Sequence, residues 1–380
     1  MTYKVYTCYM SNIFFVLGAF LIGFRSCLGL SYIENNVFLR LMTGVMWSLI
    51  FFSFALTPFS LSQALKICVL LMLGYFVKKN SSSAGFFFNY FVIISAKNKD
   101  IRNAIRSNFW GVFFGFMLVV LLSLLGIIKN RIEVDSMALG FRNPNTTSLM
   151  VILLFLHFIY LHYYSIDLLS FFVMTVLAVF WGIITGSRTG LMINLFIIVI
   201  TFSLRASGKI RNLFKRYGLI LSVLICVVTI FCILSCNFIS IITKINAIIS
   251  GRFAQAQFYL FLYGVKPFGS VLKELDNLYR DEVFAQNGNV LPLLDCGYGR
   301  LLVNYGFSSF IIFLWLYWKR IKLCTKQNDI RLMLILFCVL LAMVTENAWT
   351  VVNFNFTLVY LATVLFTRRN KGNRNEIALS

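Results

Sequence analysis

Charged side chains are scarce in this sequence. Asp, Glu, Lys and Arg make up 12% of its 380 residues, about half the share found in an average soluble domain. Hydrophobic residues make up 60%, and the mean hydropathy is +0.85. Together these values exclude a soluble globular domain. The apolar runs are continuous and do not alternate, which favours helices over a β-barrel. The predicted fold class is therefore all-α, a polytopic integral membrane protein.

Metal ligands and nucleotide-binding motifs are also lacking. His157 and His162 are the only two histidines, and no set of carboxylates or thiolates accompanies them, so we predict aromatic packing for both and no metal site. The acidic stretch "DNLYRDE" (276–282) fits no known cation-binding loop. A Walker motif, GxSxG and a GxGxxG context are missing, which removes support for ATP-driven transport and for hydrolase chemistry. We expect no cofactor.

Basic residues greatly outnumber acidic ones, 34 to 13, for a net charge of +21. They fall in short clusters beside apolar runs, at 97–106, 205–216, 319–331 and 368–374. Such clusters are typical of cytoplasmic anchors under the positive-inside rule, whereas stacking and phosphate grooves for nucleic acid are not evident. We predict that both termini are cytoplasmic and that the protein binds no nucleic acid.

The apolar runs predict about 12 transmembrane helices, with 10 to 12 as the range, in a single membrane domain spanning residues 1–380. Two runs, 64–77 and 85–96, are shorter than a usual span. The full-length runs are 9–30, 40–58, 107–128, 147–163, 167–186, 190–204, 218–240, 299–318, 332–347 and 350–367. One long extracytoplasmic loop, 241–298, separates two of them, and its start (246–264) has the helical spacing of a surface-lying amphipathic helix.

Three arginines stand at the outer ends of apolar segments: Arg142 in "GFRNPN", Arg188 in "GSRTG" and Arg252 in "SGRFAQ". A charge at the centre of a membrane helix costs about 2.5–3.5 kcal/mol, and less near the interface. An isolated arginine there usually extends to lipid phosphates. These three are flanked by Gly, Ser, Asn or Pro, which form sharp turns and bring backbone amides close to a ligand. The pattern indicates an anion site.

Two carboxylates lie on the same predicted face. Asp295 in "LLDCGYGRLL" and Glu346 in "VTENAW" are candidates for acid–base chemistry. Each has a plainer alternative: Asp295 as a cap of the next helix, and Glu346 as the ion-pair partner of an arginine. After the "GFRNPN" turn, Asn145 or Thr146 is the predicted helix cap.

Four motifs in a fixed order resemble a known family. They are "ALGFRNPNTT" (138–147), "TGSRTGL" (185–191), "IISGRFAQ" (248–255) and "LLDCGYGRLLVNYGF" (293–307). In this order, with one long outer loop before the last motif, they are similar to the Wzy-type polymerases of capsule and O-antigen synthesis. That superfamily includes the O-antigen ligases. The similarity runs over residues 95–365.

The resemblance implies a GT-C-like, inverting glycosyltransferase that uses neither metal nor nucleotide sugar. It would transfer a growing glycan from undecaprenyl diphosphate to a lipid-linked repeat unit, on the outer face of the bacterial cytoplasmic membrane. Implied partners are membrane lipid, the lipid-linked oligosaccharide, a flippase and a chain-length regulator.

The resemblance also implies roles for individual residues. Asp295 stands where the ligases have a candidate histidine base, and Arg188 and Arg252 would hold the donor diphosphate. The predicted substrate-binding residues are Arg142, Asn145, Tyr298, Arg300 and Glu346.

Two alternatives stay open. A ligase would move a finished glycan to a different acceptor, although the missing loop-end histidine favours a polymerase. A flippase for the same lipid-linked glycan would have two similar halves and short outer loops. This chain has no internal repeat and one dominant loop.

Overall fold

The computed structural model describes residues 2–33, 36–133, 136–272 and 293–366. The acidic stretch 276–282, most of the second half of the predicted outer loop, and the basic cluster 368–374 lie outside these ranges. The described chain is almost entirely helical. Its only strand pairing among named strands is a two-stranded antiparallel hairpin, β1 (Ile132–Glu133) with β2 (Ser136–Met137). The predicted all-α class is confirmed.

Within these ranges the α-helices occur in the following order: α1 (Thr2–Gly29), α2 (Asn36–Ala55), α3 (Leu61–Ser81), α4 (Ala84–Ser95), α5 (Ile101–Leu124), α6 (Pro144–His162), α7 (Leu168–Thr185), α8 (Arg188–Ala206), α9 (Gly208–Ser235), α10 (Ser240–Ile248), α11 (Arg252–Tyr263), α12 (Gly297–Val303), α13 (Gly306–Gln327), α14 (Ile330–Ala342) and α15 (Leu361–Phe366). Two 3₁₀ helices, Asn347–Thr350 and Phe356–Tyr360, lie between α14 and α15.

Eight helices in the described ranges are long and apolar enough to cross a membrane: α1, α2, α3, α5, α6, α7, α8 and α9. They identify a multi-pass membrane protein, while the predicted 10 to 12 spans and the GT-C-like architecture stay predictions. Helix α3 is longer than the apolar run 64–77 that predicted it. A capping box between Ser60 and Gln63 starts the helix early, so α3 reaches 21 residues and meets the length of a span.

Three predicted helices are interrupted in the structure. The predicted span 299–318 is divided between α12 and α13, and Gly306, at the start of α13, has a left-handed backbone conformation with φ of 87°. The amphipathic segment 246–264 is divided between α10 and α11, because Ser250 and Gly251 both have left-handed backbone conformations, with φ of 59° and 77°. The predicted span 350–367 is not one continuous helix. Asn355 lies at its break, where its side-chain amide donates to the Trp349 carbonyl (2.7 Å) and to the Tyr317 hydroxyl (2.6 Å).

The two histidines take part in aromatic packing, as predicted. The His157 ring lies 3.9 Å from the Phe356 ring, and the His162 ring lies 4.9 Å from that of Phe158, measured between centroids. Buried His157 is also 2.8 Å from Asn108 Oδ1, which ties α6 to α5. In the part of the chain that the structure describes, no three His, Cys, Asp or Glu side chains come close enough to hold a metal ion.

Candidate functional site

Several helix ends and loops that are far apart in sequence enclose one cavity of about 660 Å³. The C-terminal end of α1, the N-terminal ends of α6, α8 and α11, and the segments before α12 and after α14 all contribute to its wall. Six of the eight predicted site residues line it: Asn145, Arg188, Arg252, Asp295, Arg300 and Glu346. We refer to this space as the arginine cavity.

Arg252 forms the centre of a buried charge cluster in the arginine cavity. Its side chain is 7% exposed, and it forms ion pairs through Nη1 with Asp295 Oδ2 and, at 3.7 Å, through Nη2 with Glu346 Oε1. The two carboxylates are 23% and 17% exposed. A buried charge needs such partners because desolvation is costly. The predicted alternative for Glu346, pairing with an arginine, is therefore seen, and it coexists with a place on the cavity wall.

The Glu346 carboxyl group has a raised pKa. It lies between the end of α14 and the 3₁₀ helix that starts at Asn347. Burial raises its pKa to about 7, against the opposing effect of the Arg252 charge. A carboxylate with a pKa near neutrality is suited to accept and release protons at physiological pH.

Asp295 is held from two sides. Arg252 binds Oδ2, and Asn347 Nδ2 lies 3.5 Å from Oδ1 while donating at 2.7 Å to the neighbouring Leu294 carbonyl. The first residue of α12 is preceded by Cys296, with no side-chain cap, so Asp295 does not cap that helix. Both Asp295 oxygens therefore face donors of the cavity wall.

The two glycines of "DCGYG" explain how the cluster comes together. A Cβ atom on Gly297 would lie 3.0 Å from the Met343 carbonyl and 3.1 Å from that of Glu346. A Cβ atom on Gly299 would lie 2.8 Å from Ala256 Cβ on α11. Because both positions lack a side chain, α12 packs closely against the segment carrying Glu346 and against the helix carrying Arg252.

Replacing Gly299 with alanine should therefore destabilise the protein by about 1–3 kcal/mol, the usual cost of overpacking. The measurement is the thermal unfolding midpoint of the purified protein in detergent. Ala256→Gly in the Gly299→Ala background removes the opposing methyl group and should recover part of the lost stability. If Gly299→Ala unfolds at the wild-type temperature, α12 and α11 do not pack as tightly as described.

Arg188 presents an uncompensated charge to the arginine cavity. It is exposed at the first turn of α8 and has no ion pair or hydrogen bond within the described residues. Ser187 caps this helix, accepting a hydrogen bond from Gly190 N at 3.3 Å. The N-terminal end of a helix carries partial positive charge, which adds to that of Arg188. This wall of the cavity attracts anions.

The N-terminal end of α6 adds a second helix terminus to the same wall. Its cap is Asn143, whose Oδ1 accepts from Thr146 N at 2.8 Å and from Thr146 Oγ1 at 3.0 Å. The prediction of Asn145 or Thr146 as the cap was wrong, because Pro144 occupies the first helical position, where its lack of an N–H costs nothing. Asn145 is exposed on the cavity wall instead.

Two predicted site residues lie outside the cavity lining. Tyr298 is fully buried, and its hydroxyl donates to the Leu340 carbonyl at 2.8 Å, which fastens α12 to α14. Arg142 belongs to a turn that docks on the end of α1. Its backbone N–H donates to the Leu30 carbonyl at 3.0 Å, and its own carbonyl accepts from the Tyr32 hydroxyl.

Sequence inspection missed Gln255 and Asn347 as members of the cavity wall. Gln255 follows Arg252 by about one helical turn, which places both on one face of α11. Its Oε1 is buried and has no hydrogen-bond partner among the described residues. Each could have been found from its position in the sequence. Gln255 lies one helical turn after the predicted residue Arg252, and Asn347 directly follows the predicted residue Glu346.

Comparison of the chain with protein families, with curated proteins and with solved structures gives no match.

Proposed function

We propose that the protein is a membrane glycosyltransferase that polymerises a lipid-linked glycan. It would transfer the growing chain from undecaprenyl diphosphate to a lipid-linked repeat unit, with inversion and without a metal, on the outer face of a bacterial cytoplasmic membrane. The observation that supports this proposal most is that residues from four separate motifs line one arginine cavity. The cavity offers both an anion-attracting wall and a buried carboxylate cluster.

In this proposal the diphosphate of the donor occupies the Arg188 side of the cavity. Among the described residues Arg188 has no counter-charge, and the N-terminal ends of α6 and α8 lie beside it. Arg300 lines the same space. These groups stabilise the negative charge that develops on the leaving diphosphate. Arg252 has a different task, since its charge is already balanced by two carboxylates: it positions Asp295 and Glu346.

The proton of the acceptor hydroxyl needs a base. The acceptor oxygen attacks the anomeric carbon, the bond from that carbon to the diphosphate oxygen breaks, and the hydroxyl proton passes to a carboxylate. Asp295 was the residue predicted for this role. The geometry favours Glu346, because Asp295 is bound at both oxygens, whereas the contacts of Glu346 within the described residues comprise one ion pair at 3.7 Å.

The raised pKa of Glu346 leads to a pH prediction. Below a pH of about 7 the carboxyl group is protonated and cannot act as a base; above it the carboxylate is free to do so. The rate of glycan extension at saturating substrate should therefore rise as the pH increases through about 7 and then level off. The measurement is the initial extension rate from pH 5.5 to 8.5. A profile that is flat over this range contradicts Glu346 as the base.

A lipid-facing groove supports a lipid-linked substrate. An apolar groove of about 490 Å³ is formed by side chains of α5, α6 and α7, including Phe113, Phe155 and Trp181. Helix α7 runs along this groove and ends beside Gly186, which lines the arginine cavity. A chain that lies in the groove would have its polar head near the cavity. The apolar lining suits the hydrocarbon of a polyprenyl carrier.

The test of the proposed function is the lipid-linked glycan profile of cells that lack the protein. Loss of a polymerase leaves single lipid-linked repeat units at the outer face of the membrane. Long chains that remain on the lipid indicate a ligase, and single units retained at the cytoplasmic face indicate a flippase. Accessibility of the glycan to an added enzyme that cannot cross the membrane distinguishes the two faces.

A further inference from the structure

Helix α10 (Ser240–Ile248) has an exposed apolar stripe. Ile241, Ile245 and Ile248 are 67%, 42% and 58% exposed, and their spacing of four and then three residues places them on one face of the helix. We refer to these three side chains as the α10 stripe. Ile242, about 100° further round the helix, is buried. Helix α10 thus packs on the protein with one side and leaves a neighbouring apolar side open.

The α10 stripe continues an apolar surface of the preceding helix. Helix α9 is long and apolar enough to cross a membrane, and Phe231 and Leu234 on its last turns are exposed. Phe238, between the two helices, is 78% exposed. Large uncovered apolar patches are rare on surfaces that face water, whereas the exposed side of a membrane-spanning helix faces lipid. The neighbouring surface therefore indicates lipid as the occupant of the stripe.

The opposite side of α10 is polar or small, since Ser240, Thr243 and Ala247 are exposed there. Exposed Lys244 lies beside the stripe, where a long basic side chain reaches lipid phosphates while its methylene groups stay in an apolar layer. The helix has nine residues, too few to cross a bilayer. One apolar side, one polar side and a lysine between them are typical of a helix that lies in the membrane surface.

Helix α10 also supplies the cap of α11. The residue before α11 is Gly251, which has no side chain to accept from the free N–H groups of the first turn. Asn246 of α10 takes this role, because its Oδ1 accepts from Phe253 N at 2.9 Å and from Ala254 N at 3.2 Å. Its backbone carbonyl accepts from Gly251 N at 2.8 Å. The first turn of α11 is therefore bonded directly to α10.

This first turn carries Arg252, the centre of the charge cluster in the arginine cavity. Ser250, between the two helices, lines the same cavity. Further along, α11 is fastened to the end of α9, because Gln257 Nε2 donates to the Leu234 carbonyl at 2.9 Å. Helix α9 thus holds the middle of α11, while α10 holds its start. The position of Arg252 depends on where α10 lies.

We propose that α10 lies in the membrane surface, with the α10 stripe among the lipid acyl chains, and that this contact with lipid holds the first turn of α11 at the arginine cavity. The partner of the stripe is thus a lipid surface. Lipid on one side and the Asn246 cap on the other would fix Arg252 relative to the membrane. This role of α10 does not depend on glycan polymerisation, because it follows from the contacts of α9, α10 and α11.

The first test places a spin label on either side of α10 in liposomes of phosphatidylethanolamine and phosphatidylglycerol. The two exposed cysteines, Cys8 and Cys68, are first replaced by serine. Ile245→Cys puts the label on the stripe, and Ala247→Cys is the matched control, about 200° further round the same helix. We expect oxygen, which concentrates in lipid, to reach the label at position 245 more readily than a water-soluble nickel chelate, and the reverse at position 247. A label at position 245 that the chelate reaches, or that neither reagent reaches because protein covers it, would overturn the proposal.

The second test measures hydrogen exchange of the Phe253 and Ala254 amides in the same liposomes, without spin labels. Ile245→Asp introduces a charge on the stripe, and Ala247→Asp introduces the same charge on the polar side. We expect exchange at least about tenfold faster in Ile245→Asp, equivalent to the loss of one hydrogen bond, and the wild-type rate in Ala247→Asp. Asn246→Ala removes the cap itself and shows the full effect. If Asn246→Ala accelerates exchange but Ile245→Asp does not, contact with lipid does not hold α11 and the proposal is wrong.

Discussion

Glu346→Gln will lower the rate of glycan extension by about 10²- to 10⁴-fold, the usual contribution of a general base. Glutamine keeps the shape of the side chain but cannot accept the hydroxyl proton. The overall fold should persist, because the substitution removes one charge from a cluster in which Arg252 still pairs with Asp295. The measurement is the initial rate of extension in membranes that contain equal amounts of wild type and variant.

A matched control for this experiment is Asp167→Asn. Asp167 is an exposed carboxylate that caps α7 and accepts from Ser170 N at 2.8 Å, away from the arginine cavity. Asparagine caps helices about as well as aspartate, so extension should proceed at the wild-type rate. If Asp295→Asn abolishes extension while Glu346→Gln leaves it intact, the base is Asp295 and the assignment of Glu346 is wrong.

The second prediction is that replacing two arginines of the arginine cavity has different effects on stability and activity. Arg252→Leu leaves two carboxylates without their counter-charge and should destabilise the protein by about 3–5 kcal/mol, the cost of breaking a buried ion pair. Arg188→Leu should change stability by no more than about 0.5 kcal/mol, because the Arg188 side chain is exposed and has no ion pair with any residue that the structure describes. Yet Arg188→Leu should lower extension by about 10²- to 10³-fold, since it removes charge stabilisation of the leaving diphosphate.

The change in stability is measured by chemical unfolding in detergent, and the change in activity is measured as the extension rate of the same preparations. The contrast between stability and activity is the critical result. If Arg188→Leu is as unstable as Arg252→Leu, Arg188 has a structural partner and is no diphosphate ligand. If Arg252→Leu is fully stable, the buried ion-pair cluster is not as described.

Much of the helical architecture could be predicted, because long apolar runs allow few conformations other than helix in a bilayer. The first and last residues of the helices were harder to predict. Helix α9 begins at Gly208, ten residues before the apolar run that predicted it, since Ser207 caps a basic stretch that is polar yet helical. Hydrophobicity predicts which residues lie in the membrane. It does not predict where a capping side chain forms the hydrogen bond that starts a helix.

The breaks within helices depend on backbone conformation and on tertiary contacts. Ser250 in a left-handed conformation has no sequence signal of its own, although the Gly251 beside it is a common residue there. The interruption near Asn355 involves hydrogen bonds to Trp349 and Tyr317. One of these partners belongs to a different helix, α13, so local sequence could not reveal the pairing.

Most members of the candidate site and the pairing of Glu346 with an arginine were predictable, whereas the pairing of one arginine with both carboxylates was not. The motifs place polar residues at one end of several helices, which is enough to expect Arg188, Arg252 and Asp295 near one another. That Arg252 pairs with two carboxylates depends on the close packing at Gly297 and Gly299. This packing is a property of three segments together and could not be predicted, and the family resemblance assigned Arg252 to the diphosphate instead.

The most direct test of the proposed function uses the purified protein alone in liposomes. The substrate is the lipid-diphosphate-linked repeat unit extracted from cells that lack the protein. The proposal predicts a ladder of longer lipid-linked glycans, with one free undecaprenyl diphosphate released for each bond formed, and no ladder with Arg188→Leu. Repeat units that stay single, whether or not they cross the membrane, would contradict it.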